Sequence, residues 1–112
     1  MSAEKIPLER VIVSRIVDQL KAAGYTFVYK VHGSAYQMSG LPDLTVIARS
    51  GRFVGLEVKR PKLGKLTPIQ AVTLNRIGKA GGYAAVVTSP DEAMAAMVRA
   101  EAGLPSEVIG IS

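Results

Sequence analysis

The chain has 112 residues and no cysteine. That absence excludes disulfide staples and thiolate zinc sites, and it fits a reducing compartment, with the cytoplasm the simplest expectation. Its one histidine, His32, lies in no metal-ligand spacing and is expected to be structural or solvent-facing. No apolar run approaches the roughly 20 residues that a membrane-spanning helix needs. The start, MSAEKIPLERVIV, carries acids and lacks an apolar core followed by a small-residue cleavage site, so no signal peptide is expected. Linkers, low-complexity stretches and internal repeats are absent too, and a single domain over residues 1–112, large enough for a real core, is the expectation.

What is present is an ordinary globular balance, with 48% hydrophobic and 21% charged residues, so the chain is expected to fold. Lys and Arg number 14 against 9 Asp and Glu, a net charge of +5. A small basic domain attracts polyanions, because neutralising phosphates releases condensed counterions, and nucleic acid is therefore a candidate partner.

Hydrophobic periodicity predicts a first helix over about Ile6 to Ala23, with Pro7 at an early helical position and Gly24 at the stop. At roughly 100° per residue, Leu8, Ile12, Val13, Ile16, Val17 and Leu20 form one apolar arc, with Glu9 near its centre. A carboxylate there is costly unless paired or ligating. The aromatic and β-branched run YTFVYKV (25–31) reads as a strand, followed by the polar loop HGSAYQMSG. Residues 43–48 and 53–59 read as two strands joined by RSGR, a hairpin signal. After the basic loop RPKLGK, TPIQ opens a second helix with Thr67 as cap, Pro68 at the first position and Gln70 closing a capping box. A strand at 83–87 and a helix capped within SPDE (89–92) follow, and the tail LPSEVIGIS could add an edge strand. The layout is α-β-β-β-α-β-α, an α/β fold with a mixed sheet flanked by helices.

Three charges fall on the hairpin. Strand residues two apart share a face, so Glu57 and Lys59 point one way while Val54, Leu56 and Val58 point the other. Whether Asp43 joins them depends on the turn. A two-residue loop at Ser50 and Gly51 sets Asp43 opposite Val58, on the wrong face; a three-residue loop or a bulge using Gly51 aligns it with Glu57 or Lys59, and this second register is the expectation. Two facing carboxylates repel unless a cation lies between them, and hard oxygen ligands suit Mg²⁺ or Mn²⁺. Such an ion polarises a phosphodiester and activates water, and a nearby lysine offsets charge on the phosphoryl oxygens.

GLPD at 40–43 followed by EVK at 57–59 resembles the PD-(D/E)xK nuclease signature. Gln70 of TPIQ and a Glu on the first helix sharpen the resemblance toward the VRR-NUC family, the virus-type replication-repair nuclease domain, in its short stand-alone phage and bacterial form. The resemblance runs from Glu9 through the last helix and implies a restriction-endonuclease-like core. It implies that Asp43 and Glu57 bind a divalent metal, Mg²⁺ or Mn²⁺, together with the backbone carbonyl of Val58, and that Glu9 acts through a bound water or a second ion. Lys59 would position the attacking water and stabilise the transition state, and Gln70 would support that arrangement. The implied activity is metal-dependent endonucleolytic hydrolysis of branched or structured DNA, similar to that of Holliday junction resolvases, with a homodimer placing one site on each of two strands.

Each residue also has a plainer reading. Asp43 follows Pro42 as a turn residue would, Glu57 and Lys59 could lie on a solvated face, and Gln70 is accounted for as a cap. Arg60, Lys62 and Lys65 either track the phosphates of bound nucleic acid or form a solvated loop, and phosphate contact is favoured. Tyr36 could stack on a base or simply pack, and Met94 and Met97 are expected to form helix-packing surface. The competing functions are a non-catalytic, structure-selective DNA-binding module and a metal-stabilised structural domain.

Overall fold

Residues 5–32 and 38–107 are described in a computed structural model. Helix α1 (Glu9–Ala22) is followed by strands β1 (Val28–Lys30), β2 (Leu44–Ile47) and β3 (Phe53–Val58), helix α2 (Pro68–Lys79), strand β4 (Tyr83–Val87) and helix α3 (Pro90–Glu101). The strands form one mixed sheet in the order β1-β2-β3-β4, antiparallel except for the parallel β3–β4 pair. This is the expected α-β-β-β-α-β-α order, with helices on both faces of the sheet. Among the described residues, no helix is long and apolar enough to cross a membrane.

Alternation along the strands assigns the faces. Leu44, Val46, Val54, Leu56, Val58, Ala85 and Val87 form the main core with Ile12, Ile16 and Leu20 of α1 and Ala93 and Met97 of α3. Each such aliphatic side chain contributes about 1.5–3 kcal/mol on full burial. Met94 packs against the same core, so both methionines serve packing as expected. Helix α2 covers the opposite face, where Ile77 and Pro42 lie so close to Gly55 that an added Cβ would stand 3.0 Å from each.

The hairpin turn has the register the site requires. Ala48 N–H donates to the Arg52 carbonyl and Gly51 N–H to that of Ala48, leaving Arg49, Ser50 and Gly51 as a three-residue loop with Gly51 at φ 89°. Leu44 then pairs with Leu56 and Thr45 with Gly55. One further step sets Asp43 opposite Glu57.

That turn is anchored by distant parts of the chain. The Glu101 carboxylate, at the end of α3, accepts from the Arg49 and Ser50 amides at 2.9 and 3.2 Å. Arg49 lies over the Tyr25 ring, donates to its hydroxyl at 3.1 Å and reaches the Ala23 carbonyl at the end of α1. Arg52 donates to the carbonyls of Gly81, Gly82, Ala100 and Leu104 at 2.6–3.3 Å, clasping the α2–β4 turn and the end of α3.

Several boundaries differ from expectation for identifiable reasons. Helix α1 starts at Glu9, not Ile6, because the Arg60 guanidinium takes the Ile6 and Pro7 carbonyls, each at 2.9 Å, and the first carbonyl in the helical pattern is that of Leu8. Pro7 thus lies outside the helix. Strand β1 is shorter than 25–31, since Tyr25 N–H closes the end of α1 on the Leu20 carbonyl and its ring is buried. At α3, Ser89 caps as expected, but the Glu92 carboxylate turns to the amide and hydroxyl of Thr88 instead of completing a box with Ser89. In the tail, 104–107 form no strand, and the Ser106 hydroxyl bonds both the amide and the carbonyl of Ala84; residues 108–112, like Tyr36, lie outside the described residues.

Replacing Arg52 by Ala is expected to lower stability by about 2–3 kcal/mol, since a charged donor to several carbonyls is lost. Arg10→Ala, at an exposed position of α1, is expected to change stability by less than about 0.5 kcal/mol. Urea unfolding of both variants measures the difference.

Candidate active site

The site is built at the end of the hairpin away from its turn. Because Ala48 and Arg52 form a backbone-bonded rung, the alternation of antiparallel rungs leaves the Asp43–Glu57 rung without backbone bonds. At such rungs the Cα atoms are only about 4.5 Å apart and the side chains are close. Asp43 Oδ2 accepts from the Val58 amide at 2.7 Å, so a side chain takes over the pairing of β3 where the backbone ladder stops. The Val58 carbonyl lies along the same strand edge as its amide, on the side of Asp43.

Glu57 is 1% exposed. One of its oxygens is well served, with Oε2 accepting from Gln70 Nε2 at 3.1 Å and lying 3.5 Å from Lys59 Nζ. The other, Oε1, is buried without a hydrogen-bond partner among the described residues. Burial, reinforced by the neighbouring Asp43 carboxylate, pushes the Glu57 carboxyl up from 4.5 to about 8, with Lys59 pulling the other way.

Gln70 holds its place through the cap of α2. Its Oε1 accepts from the Thr67 amide at 3.0 Å while the Thr67 hydroxyl accepts from the Gln70 amide at 3.3 Å. The capping box therefore decides which end of the Gln70 amide faces Glu57, and the plain reading and the site reading describe one geometry. Helix α2 reaches this position because Gly40, at φ 79°, lets its first turn sit close; an added Cβ would stand 2.7 Å from the Ile69 carbonyl.

The remaining predicted residues divide. Lys59 shares the face of Glu57 as expected, its side chain 13% exposed. Lys62 and Lys65 are exposed, Lys62 at the tip of a tight loop with φ 65°. Arg60 has a structural role that the basic run did not announce, with Nε and Nη2 donating to the Pro7 and Ile6 carbonyls. Glu9 is exposed, contrary to the buried position its place on the apolar arc suggested. It is the first residue of α1, in a turn that overhangs the core together with exposed Leu8, and its charge is favoured there by the helix dipole. Among the described residues no third acid, histidine or cysteine joins Asp43 and Glu57 in a cluster that could hold a metal ion. His32 is exposed, in line with a solvent role.

Sequence reasoning missed the anchoring role of Arg49, Arg52 and Glu101. Their partners in these contacts lie 26–52 residues away along the chain, and no local pattern announces such contacts.

No family model matches the sequence, and no curated protein matches it. Solved structures do. One, described as a "VRR_NUC domain protein", is 17% identical with a TM-score of 0.73, covering 96% of this chain and all of its own; at that identity the likeness shows the fold. A second, described as a "VRR_NUC domain", is 30% identical with a TM-score of 0.65, covering 78% of this chain and 90% of its own. With the PD and ExK residues facing each other across the hairpin and that relative matched over nearly its whole length, the chain belongs to the VRR-NUC family of nuclease-type domains.

Proposed function

We propose that this protein is a divalent-metal-dependent endonuclease that hydrolyses phosphodiester bonds in branched or structured DNA. The observation that carries the reading is the buried Glu57 carboxylate, its Oε1 without a hydrogen-bond partner among the described residues, set across the hairpin from Asp43. A buried, unpaired carboxylate oxygen is costly, and a second carboxylate beside it makes the charged form costlier still. A hard cation removes both penalties.

Asp43, Glu57 and the Val58 carbonyl would hold Mg²⁺ or Mn²⁺. When bound, the ion supplies charge stabilisation to the phosphoryl oxygens and activates water as the nucleophile. The protein's own groups do the rest. Gln70 and Lys59 engage Oε2 of Glu57, which orients the carboxylate and leaves Oε1 for the cation. The Lys59 ammonium positions water and offsets negative charge developing on the phosphate. Lys62 and Lys65 supply phosphate contacts, and Arg60 adds charge nearby while holding the segment before α1. Glu9, exposed at the start of α1, acts through water or a second ion in this reading. The preference for branched DNA and a two-fold pair of subunits follow from the resemblance to junction resolvases and form part of the proposal.

Purified protein is expected to cut junction, flap or duplex substrates only with Mg²⁺ or Mn²⁺ present. Asp43→Asn, Glu57→Gln and Lys59→Ala are each expected to slow cleavage at least ~100-fold while binding in EDTA is largely kept. Absence of metal-dependent cleavage on every substrate contradicts the proposal; DNA binding that persists in such a protein favours the non-catalytic module.

Stability without metal offers a second test. The native state holds the Glu57 proton more tightly than the unfolded chain, so this contribution is fully present below 4.5 and is lost as pH rises through about 8. Glu101, whose carboxyl is held below its ordinary value chiefly by the Arg49 amide, acts in the opposite sense and at lower pH. In EDTA the unfolding midpoint is therefore expected to fall between pH 4.5 and about 8, Glu57→Gln to flatten that fall, and Mg²⁺ to raise the midpoint most at the alkaline end. A wild-type midpoint that holds or rises over this interval contradicts the assignment.

A further inference from the structure

The sheet face that carries Asp43 and Glu57 is covered by α2 over Gly55 but leaves aromatic side chains exposed beyond that cover. Strand register places Tyr29 opposite Thr45 and Gly55 in the row next to the carboxylates, and Phe27 opposite Ile47 and Phe53 in the row beyond. Outward positions of a solvated antiparallel sheet are normally polar. Here Phe27, Tyr29 and Phe53 are 49%, 51% and 39% exposed. We propose that this face is a stacking platform for unpaired nucleotides that flank the phosphodiester held at Asp43 and Glu57.

Three observations select this occupant. The first is continuity, because the aromatic rows and the two carboxylates share one face, and a second copy of the chain lying on it would cover the site. The second is charge. The chain carries +5, the outward residues of both aromatic rows include no acid, and α2 presents exposed Arg76 on the same side as Ile69, which abuts Gly40. A nucleic acid gains from that field, whereas a like-charged second copy gains nothing from it on this face. The third is spacing. Successive rows on one face are about 6.7 Å apart, twice the roughly 3.4 Å rise per nucleotide in stacked duplex. Bases seated on successive rows are therefore unstacked from one another, as they are in single-stranded arms, flaps and junction openings, and flat aromatic side chains are the groups that receive such bases without regard to sequence.

The proposal rests on the nuclease reading for the position of the scissile phosphate, so its test reads binding in EDTA and is separate from cleavage. The probes are a fluorescent oligothymidine strand and a fluorescent blunt duplex. Tyr29→Ala and Phe27→Ala are each expected to weaken strand binding about 10-fold, the double variant further, while blunt-duplex affinity stays within about twofold. Tyr29→Phe keeps the ring and is expected to behave as wild type. Should an alanine variant lose cooperative melting, leucine at the same position keeps apolar bulk without a π face and is expected to show the same selective loss. Equal losses on both probes, or unchanged strand binding, overturn the proposal. So does a wild-type dimer that the ring variants convert to monomer in sedimentation velocity, since a second copy then occupies the face. Ring-dependent strand binding in a protein that never cleaves keeps the platform and removes the nuclease. Asp43-dependent cleavage with ring-indifferent binding does the reverse.

Discussion

The register of the β2–β3 hairpin is the constraint on which the site depends. A strand has a side-chain period of two, so a slip of one residue would set Asp43 opposite Val58 and either turn Asp43 into the α1/α3 core or present Val58 to the space Glu57 now faces. The three-residue turn at Arg49 to Gly51 prevents that slip. Its amides are held by Glu101, its first arginine by Tyr25 and Ala23, and Arg52 just beyond it by four carbonyls. These contacts lie at the far end of the hairpin from the carboxylates. The positions of Asp43 and Glu57 are thus set by a clasp several residues away that takes no part in the chemistry.

Within that frame, the local arrangement is unfavourable by design. Glu57 is buried, lies beside another carboxylate and has one oxygen without a hydrogen-bond partner among the described residues. The rest of the site holds it in that state. Gly40 lets α2 approach, the Thr67 cap fixes the Gln70 amide, and Gln70 with Lys59 occupies Oε2. In the proposed reading a cation would convert the arrangement from a cost into a gain, which is how a small domain could keep a binding position preformed while still favouring its occupant.

Much of this is legible in the sequence because it follows from local rules. The element order, the span of β4, the Thr67–Gln70 box, the shared face of Glu57 and Lys59 and the three-residue turn all follow from periodicity, capping and hairpin geometry. What failed depended on distance along the chain or along an axis. The helical arc gave Glu9 the right angle but said nothing of how far along α1 the core extends, so an exposed first-turn residue was read as buried. Nor does anything local announce that Arg60, within its basic run, also fixes the start of α1 from 53 residues away. Phe27 and Tyr29 read simply as strand formers, and only the register shows that they share a face with the carboxylates.

The most direct test of the hairpin as a cation-holding device is anomalous diffraction from crystals of the protein soaked in Mn²⁺. A Mn²⁺ peak between Asp43 and Glu57, within bonding distance of Glu57 Oε1 and the Val58 carbonyl, is the expected result. Crystals in which both carboxylates keep their places and no Mn²⁺ binds between them would contradict it.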